Sequence, residues 1–239
     1  MIRFVEETGS TNADLLALLR NREHVGEGDW IVTRRQTAGR GRQGRQWFDG
    51  AGNFMGSTVV RVSDRDPPAP SLALVAGLAV YEALLPYCPD PQQLMLKWPN
   101  DILLHAAKLC GILLEAQSDA VVVGIGVNLA AKPDLPDRPT IALADVTSPP
   151  APETFAERLA DAFATELERW RTYGLEPLIR RWSSVATPDG TPLRVHEPDG
   201  SVAEGRFTGL DPQGNLQLRL EDGTVRAIHA GDVMLASEE

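Results

Sequence analysis

A glycine- and arginine-rich stretch, GRGRQGRQW at residues 39–47, holds the residues best suited to chemistry in this chain. Arg40, Arg42 and Arg45 alternate with glycines, and no acidic residue lies between Arg34 and Arg45. Arginine binds carboxylate and phosphate groups bidentately, and glycine lets the backbone approach a ligand closely. The pattern therefore predicts a loop that binds a compact anion.

The glycines at 39, 41 and 44 also have the G-x-G-x-x-G spacing of a dinucleotide-binding turn. That turn requires a helix directly after the glycines, because the pyrophosphate rests on the N-terminus of the helix. Here the turn-forming sequence WFDGAGN follows instead, and no G-x-x-x-x-G-K-[ST] motif of a P-loop occurs in the chain. We therefore expect the loop to join two strands and to close over its ligand.

Three more stretches place polar residues where apolar strands begin or end. They are KWPND at 97–101, Lys108 at the start of an apolar run, and GIGVN at 124–128. Each has a structural explanation as well: Asp101 as a solvated corner, Lys108 at a strand edge, and Asn128 as a turn cap. Together with the arginine loop, these stretches favour one shared site.

The coarse pattern of the chain predicts an α+β fold with a central mixed β-sheet, helices and a small C-terminal β-barrel. We expect helices at about 10–20, 70–85, 153–173 and 175–182, and strands near 30–33, 53–62, 93–98, 108–115 and 120–128. From residue 187 the turns PDG, PQGN and EDG separate short alternating runs, as in a small antiparallel barrel. This change in the sequence pattern predicts two domains, at residues 1–186 and 187–239.

The composition narrows the class of protein. The 239 residues carry 33 acidic and 23 basic side chains, a net charge of −10, which argues against a general nucleic-acid binder. Residues 1–7 lack an export signal, and the most apolar segment, 71–85, is short and contains Glu82, so we expect a cytoplasmic protein without membrane insertion. Cys88 and Cys110 have no metal-binding spacing, so we expect buried thiols and no metal site.

The motifs G-R-G-R-x-G-R-x-W, K-W-P-N-D, K-L-x-G-I-L-x-E and G-I-G-x-N, in this order, resemble those of the biotin protein ligases. These enzymes attach biotin to a lysine of biotin-dependent carboxylases. The resemblance implies a class II synthetase-like catalytic domain followed by an SH3-like domain. It also implies formation of biotinyl-5′-AMP from biotin and ATP, with Mg²⁺ as activator, and transfer to a biotin carboxyl carrier domain.

Matching residue by residue, the resemblance implies catalytic roles for Lys108, Asp101 and Arg40, with Asp101 as the candidate base for the incoming lysine. The implied biotin-binding residues are Ser10, Thr11, Asn12, Gln36, Gly39, Arg40, Gly41, Arg42, Lys108 and Gly111. The implied ATP-binding residues are Arg42, Arg45, Trp47, Asn100, Lys108 and Asn128. Trp47 is expected to cover a purine, with an ordinary core position for Trp47 and Trp98 as the alternative.

Two other functions are compatible with parts of the pattern. A lipoate or octanoate ligase or transferase shares the superfamily, and a non-catalytic nucleotide or RNA binder would also use a basic loop. Only nine residues precede Ser10, so we expect a monofunctional ligase with no DNA-binding domain. A monomer and a homodimer both fit the sequence.

Overall fold

The computed structural model describes residues 1–136 and 138–236, and in these residues it contains four α-helices and two β-sheets. The helices are α1 (Thr11–Arg20), α2 (Leu72–Leu84), α3 (Pro152–Tyr173) and α4 (Leu175–Ser184). The strands of the first sheet are β1 (Ile2–Thr8), β2 (Trp30–Gln36), β3 (Phe54–Arg61), β4 (Leu94–Lys97), β5 (Asp101–Leu104), β6 (Ala107–Gln117) and β7 (Ala120–Val127). Those of the second are β8 (Pro192–His196), β9 (Val202–Leu210), β10 (Leu216–Arg219), β11 (Val225–Ile228) and β12 (Asp232–Leu235).

The first sheet is mixed, as predicted. Its strand order is β1-β2-β3-β7-β6-β5-β4. The β1–β2 pair is parallel, and the other neighbouring pairs are antiparallel. The central strand β7, AVVVGIGV, is buried along its whole length because both faces of the sheet are covered there.

Alternate residues of the sheet pack into two separate hydrophobic cores. Val121, Val123 and the residues in phase with them belong to the large cluster that also holds α2 and α3. Ala120 and Val122 face the other way and pack with Leu15 and Leu16 of α1 in a smaller cluster. Since α1 covers only part of its face, the remainder is left for a pocket.

The predicted helices are confirmed, with small shifts at their ends. Ser10 is the N-cap of α1, and its hydroxyl accepts a hydrogen bond from the Ala13 amide at 3.5 Å. Short 3-10 turns flank α2, and α3 begins at a proline, which suits the first turn of a helix. Ser10, Thr11 and Asn12, at the start of this helix, line the pocket.

The segment Ala69–Tyr87, which includes α2, is the one described segment with the length and apolar character of a membrane-spanning helix, with a mean hydropathy of 1.5. Most of it, 61%, is buried within the protein. It lies between the mixed sheet and α3, where a core helix of this composition is expected.

The second sheet is antiparallel, with the strand order β11-β10-β9-β8-β12. It packs against the turn after β4: the Trp98 indole donates to the Gly214 carbonyl at 3.1 Å, and the Lys97 ammonium donates to the Val233 carbonyl at 2.7 Å. Trp98 is thus a buried core aromatic between the sheets. The domain boundary at 186/187 stays a prediction, and positions 237–239 of the predicted C-terminal domain lie outside the described residues.

Two strands of the first sheet were not predicted. The edge strand β1 carries a weak alternation of apolar and charged residues. β4 ends at Lys97, before the turn that contains the proline of KWPND, and β5 then begins at Asp101. Because Lys97 and Asp101 pair across a tight turn, Asp101 is buried in the sheet and is not a solvated corner.

Candidate active site

A cavity of about 660 Å³ opens on the face of the mixed sheet that α1 leaves uncovered. All fifteen residues that the resemblance implies for catalysis or binding line this cavity: Ser10, Thr11, Asn12, Gln36, Gly39, Arg40, Gly41, Arg42, Arg45, Trp47, Asn100, Asp101, Lys108, Gly111 and Asn128. They come from α1 and its N-cap, from β2, β5 and β6, and from the loops that follow β2, β4 and β7. Their individual roles stay predictions, but their common location follows from the fold.

One end of the cavity, which we call the neutral end, consists of the buried polar residues Ser10, Thr11, Asn12, Gln36 and Ser57, and a hydrogen-bond network joins the last four. The Gln36 side-chain oxygen accepts from the Thr11 amide at 2.9 Å and from its hydroxyl at 3.1 Å. The Thr11 and Ser57 hydroxyl oxygens lie 2.6 Å apart, and Ser57 donates to the Asn12 side-chain oxygen at 2.6 Å. Such a network fixes the orientation of each donor and acceptor.

Glycines make room for this network and for the tryptophan beside it. A Cβ at Gly124 would lie 2.2 Å from the Asn12 side-chain oxygen. A Cβ at Gly126 would lie 2.2 Å from the Trp47 ring, and one at Gly111 would lie 2.8 Å from that ring. Gly111 and Gly126 are register partners on β6 and β7. The half-buried Trp47 ring therefore lies on a floor formed by a pair of glycines, between the two ends of the cavity.

The other end, which we call the cationic end, consists of Arg40, Arg42, Arg45, Lys108 and Arg138. The arginine loop folds back on itself, because the Gly41 amide donates to the Arg45 carbonyl at 2.7 Å and the Trp47 amide donates to the Gly39 carbonyl at 3.0 Å. The loop joins β2 to β3, as predicted, with no helix beyond a short 3-10 turn. All three arginines of the loop line the cavity.

Each arginine of the loop has a specific partner. Arg42 donates to the Asn100 side-chain oxygen and to the Gly231 carbonyl, each at 2.9 Å. Arg40 lies 3.4 Å from Glu115, which also accepts from Asn12 at 2.8 Å. Arg45 lies 2.5 Å from Asp232. The loop is therefore connected both to the neutral end and to the second sheet.

A β-bulge aims Lys108 into the cavity. The register of β5 and β6 shifts between Ile102, which pairs with Cys110, and Leu103, which pairs with Lys108, so that Leu109 is an extra residue. Lys108 and Gly111 are three positions apart and would lie on opposite faces of a regular strand. The bulge brings them to one face, where a Cβ at Gly111 would lie 3.4 Å from the Lys108 ammonium.

Asp101 lies between two lysines. Its carboxylate is 2.6 Å from the Lys108 ammonium and 3.1 Å from the Lys97 ammonium. Burial alone would raise the pKa of Asp101, but the two ammonium groups hold this pKa well below its ordinary value. Asp101 is therefore a permanent anion at neutral pH. Lys97, which sequence reasoning had not assigned to the site, completes this arrangement.

Three buried polar atoms of the cavity residues have no hydrogen-bond partner among the described residues: the Trp47 indole nitrogen, the Asn128 side-chain oxygen and the Oδ1 atom of Asp101. The Asp101 atom is nevertheless paired with the Lys108 ammonium at 2.6 Å. Buried polar groups in proteins are nearly always satisfied. Asn128 itself is fixed, since its amide nitrogen donates to the Ile141 carbonyl at 3.3 Å. The Trp47 and Asn128 atoms are buried here, so a ligand could pair with them only after these side chains rearrange, and the binding role of Asn128 stays a prediction.

Several residues that line the cavity were not predicted from the sequence, because no clear local pattern surrounds them. Ser57 lies in β3, where every residue from Phe54 to Val60 is buried, so burial does not distinguish it from its neighbours. Arg138 and Asp232 also line the cavity and lie 3.5 Å apart, but they belong to a long connection and to the second sheet. No local pattern marks either of them.

Two expected features concern cysteines and metals. Cys88 and Cys110 are free, buried thiols, as predicted. Burial raises the pKa of Cys88 to about 11, so this thiol is unreactive at neutral pH. Across residues 1–136 and 138–236, no group of three or more His, Cys, Asp or Glu side chains could hold a metal ion.

Comparison with known proteins identifies the family to which this chain belongs. The sequence model of the Biotin/lipoate A/B protein ligase family matches residues 4–129, and that of the Biotin protein ligase C terminal domain matches residues 190–235. A Biotin--[acetyl-CoA-carboxylase] ligase from Paracoccus denitrificans is 39% identical over 223 residues, which are 89% of this chain and 91% of the relative. The chain belongs to the biotin protein ligase family.

Solved structures of biotin protein ligases have the same fold as this chain. A biotin protein ligase from Aquifex aeolicus in complex with biotin and ATP has a TM-score of 0.85 at 24% identity, and the match covers 99% of each chain. One from Leishmania major in complex with biotinyl-5-AMP has a TM-score of 0.66 at 26% identity, covering 96% of this chain and 98% of the other. The five-stranded sheet corresponds to the C-terminal domain of the family.

Proposed function

We propose that this chain uses ATP to attach biotin to a lysine of a biotin carboxyl carrier domain of a carboxylase, through biotinyl-5′-AMP. The observation that carries the proposal is the joining of a neutral end and a cationic end in one cavity, with the glycine floor and Trp47 between them. A ligand with a neutral polar ring at one end and a carboxylate at the other matches this division. The names of the relatives and the ligands of their structures support biotin and ATP.

The neutral end suits the ureido ring of biotin. A ureido group has one carbonyl acceptor and two N–H donors, and it carries no charge. Thr11, Asn12, Gln36 and Ser57 offer hydroxyl and amide groups that are already oriented by one another. A ligand without matching donors and acceptors would leave buried groups unpaired, which costs about 1–3 kcal/mol for each group.

The cationic end suits the first half of the reaction. The biotin carboxylate attacks the α-phosphate of ATP, a new oxygen–phosphorus bond forms, and pyrophosphate leaves with the electron pair of the broken bond. The two reacting groups are both anionic, so their approach needs fixed cations that act with little water present. We assign this task to Arg40, Arg42 and Lys108. Lys108 is the mobile point charge at the reacting centre, and the arginines hold oxygens bidentately.

The nucleotide would lie beside Trp47, Asn100 and Asn128. We assign the unpaired indole nitrogen of Trp47 and side-chain oxygen of Asn128, both buried here, as a donor and an acceptor for it once these side chains rearrange around the nucleotide. Asn100 is held by Arg42 and by the Ile112 carbonyl, so it orients the arginine that faces the phosphates. Because the carboxylates of Asp101 and Asp232 are already paired with cations, a Mg²⁺ ion accompanying ATP would be held mainly by phosphate oxygens and water.

In the second half of the reaction the acceptor amine attacks the carbonyl carbon of the adenylate, and AMP leaves. Asp101 has a depressed pKa and two ammonium partners, so it accepts a proton poorly at neutral pH. We therefore assign Asp101 to holding Lys108 in position, together with Lys97, and not to general-base catalysis. The amine would lose its proton to solvent or to the departing phosphate.

The experiment that tests this function is biotin-dependent exchange between ATP and pyrophosphate, followed by addition of a purified carboxylase carrier domain. We expect exchange with biotin and then covalent biotin on one carrier lysine, detected by mass spectrometry. Lipoate is the matched control substrate, because lipoyl ligases share the superfamily and lipoate also ends in a carboxylate. Exchange with lipoate but not with biotin would overturn the substrate, and no exchange with either would overturn the ligase.

A non-catalytic nucleotide or RNA binder is disfavoured by the location of the charge. The cations are concentrated in one cavity of a protein with a net charge of −10, and they are not interleaved with exposed aromatic residues. We expect no nucleic-acid or membrane partner and a cytoplasmic location. Sedimentation with and without biotin and ATP will distinguish a monomer from a homodimer.

A further inference from the structure

The connection between β7 and α3 brings one more cation to the cavity. Its residue 139 is clamped to β6, because the Lys108 amide donates to the Pro139 carbonyl at 2.9 Å and the Ile141 amide donates to the Lys108 carbonyl at 3.1 Å. Arg138 therefore lies next to a segment that is held against the backbone of Lys108. Its side chain is only 14% exposed and lines the cavity.

Arg138 and Arg45 converge on a single oxygen atom. The Oδ2 atom of Asp232 is 2.5 Å from the Arg45 guanidinium and 3.5 Å from the Arg138 guanidinium. Two guanidinium groups around one anionic oxygen form the kind of arrangement in which arginines bind phosphate. Burial would raise the pKa of Asp232, but Arg45 and Arg138 lower it, so this carboxylate is an anion that offsets the repulsion between the two arginines.

The proposed reaction needs such a pair. Arg40, Arg42 and Lys108 are assigned to the carboxylate and the α-phosphate, yet the leaving pyrophosphate carries the larger negative charge. We propose that Arg138, together with Arg45, binds the β- and γ-phosphates of ATP and stabilises pyrophosphate as it leaves. This inference rests on the proposed function and extends it by one residue outside the motifs of the chain. Asp232 is the positioning residue that holds the two guanidinium groups together.

The test compares Arg138→Gln, Arg138→Lys and the control Lys132→Gln. Lys132 is in the same connection but pairs with Asp145 at the surface, so the control removes one positive charge without touching the arginine pair. We expect Arg138→Gln to raise the KM for ATP and the dissociation constant of inorganic pyrophosphate by on the order of tenfold. Arg138→Lys should give an intermediate effect, and the control none.

Three readouts separate phosphate binding from a structural role. The KM for biotin, the transfer rate from synthetic biotinyl-5′-AMP to the carrier domain, and the melting temperature should stay unchanged in Arg138→Gln. Equal losses in all of them would overturn the inference in favour of a folding role for Arg138. Unchanged ATP and pyrophosphate affinity would overturn it as well.

Failure of the inference differs from failure of the proposed function. Wild-type protein without biotin-dependent exchange would contradict the function, whatever Arg138 does. Pyrophosphate binding measured by calorimetry needs no turnover, so it tests Arg138 in either case. Weaker pyrophosphate binding by Arg138→Gln than by Lys132→Gln supports the inference, and equal binding overturns it.

Discussion

The neutral end of the cavity is held by buried hydrogen bonds, such as those that join Thr11, Gln36 and Ser57, whereas two arginines of the cationic end, Arg40 and Arg45, are held by half-exposed ion pairs. The side chains of Arg40 and Arg45 are 48% and 44% exposed, and each pairs with a carboxylate on a distant strand. Buried networks are rigid and depend little on ionic strength, while exposed pairs are weak and screened.

This difference assigns selectivity and charge neutralisation to different residues. Recognition of a neutral polar ring needs fixed donors and acceptors, because a mismatch then leaves groups unpaired. Binding of a triphosphate needs strong positive charge, and the arginines can adjust to different phosphate positions. Changes at the neutral end should therefore affect biotin, and changes at the cationic end should affect ATP and the rate of adenylation.

The largest effect is expected at the reacting centre, where the two ends meet. Lys108→Ala removes the ammonium that lies 2.6 Å from Asp101 and faces the glycine floor. We expect kcat for adenylate formation to fall by about 10²–10³-fold, because loss of one group that stabilises developing charge has an effect of this size. Single-turnover formation of biotinyl-5′-AMP measures this directly.

Lys132→Ala is the matched control for Lys108→Ala. It also removes a lysine ammonium, but one that pairs with Asp145 at the surface, 2.9 Å away. Normal turnover is expected for this variant. If Lys108→Ala kept the wild-type rate, Lys108 would be a strand-edge residue without a catalytic role.

The second-largest effect is expected for Gly124→Ala, which tests whether the neutral end is rigid. In Gly124→Ala the new Cβ would lie 2.2 Å from the Asn12 side-chain oxygen, so Asn12 must move and lose its bonds to Ser57 and Glu115. We expect a loss of stability of about 1–3 kcal/mol and an increase in the KM for biotin of more than tenfold, with a smaller change for ATP. Thermal unfolding and steady-state kinetics measure the two effects.

Gly9→Ala is the control, because a Cβ at Gly9 meets no atom within 4 Å and this glycine lies just before the N-cap of α1. It should behave as the wild type does. A larger change in the KM for ATP than in that for biotin for Gly124→Ala would contradict the division of the cavity into two ends.

Much of the site follows from sequence because its residues lie in short motifs. The arginine loop was expected between two strands, since WFDGAGN cannot continue a helix, and Ser10 was expected at a helix start. Both expectations are confirmed. Such features depend on neighbouring residues alone, and local chemistry is what a single sequence shows best.

The parts of the site that were not predicted from the sequence depend on contacts between residues that are distant in the chain. Ser57 is 46 positions from Thr11, and Asp232 is 187 positions from Arg45. The bulge at Leu109 changes the face of Lys108, although the spacing in KLCG alone predicts the opposite face from Gly111. A register shift of this kind is fixed by the pairing of β5 with β6, which no local pattern reports.

A smaller change at the neutral end separates the hydrogen bonds from the shape of the site. Thr11→Val keeps the volume and the backbone amide bond to Gln36 but removes the hydroxyl bonds to Gln36 and Ser57. We expect the KM for biotin to rise by about tenfold, from the loss of a buried network member. Thr208→Val, on β9, removes a hydroxyl bond to the Gln217 carbonyl far from the cavity and serves as the control. Equal changes in both variants would mean that the effect is general destabilisation.

The smallest expected effect needs no mutation and compares the two ends by salt alone. Between about 0.05 and 0.5 M KCl the screening length shortens from about 14 Å to about 4 Å, which weakens the attraction between the half-exposed arginines and a triphosphate, so the dissociation constant of ATP should rise by about three- to tenfold. Biotin amide keeps the ureido ring but has no carboxylate, so its affinity should change less than about twofold over the same range. Calorimetry of each ligand at both salt concentrations gives the comparison, with potassium acetate replacing chloride to detect specific anion binding. Parallel weakening of the two ligands would mean that the buried network is not independent of the arginine loop, with the Arg40–Glu115–Asn12 chain as the link between them.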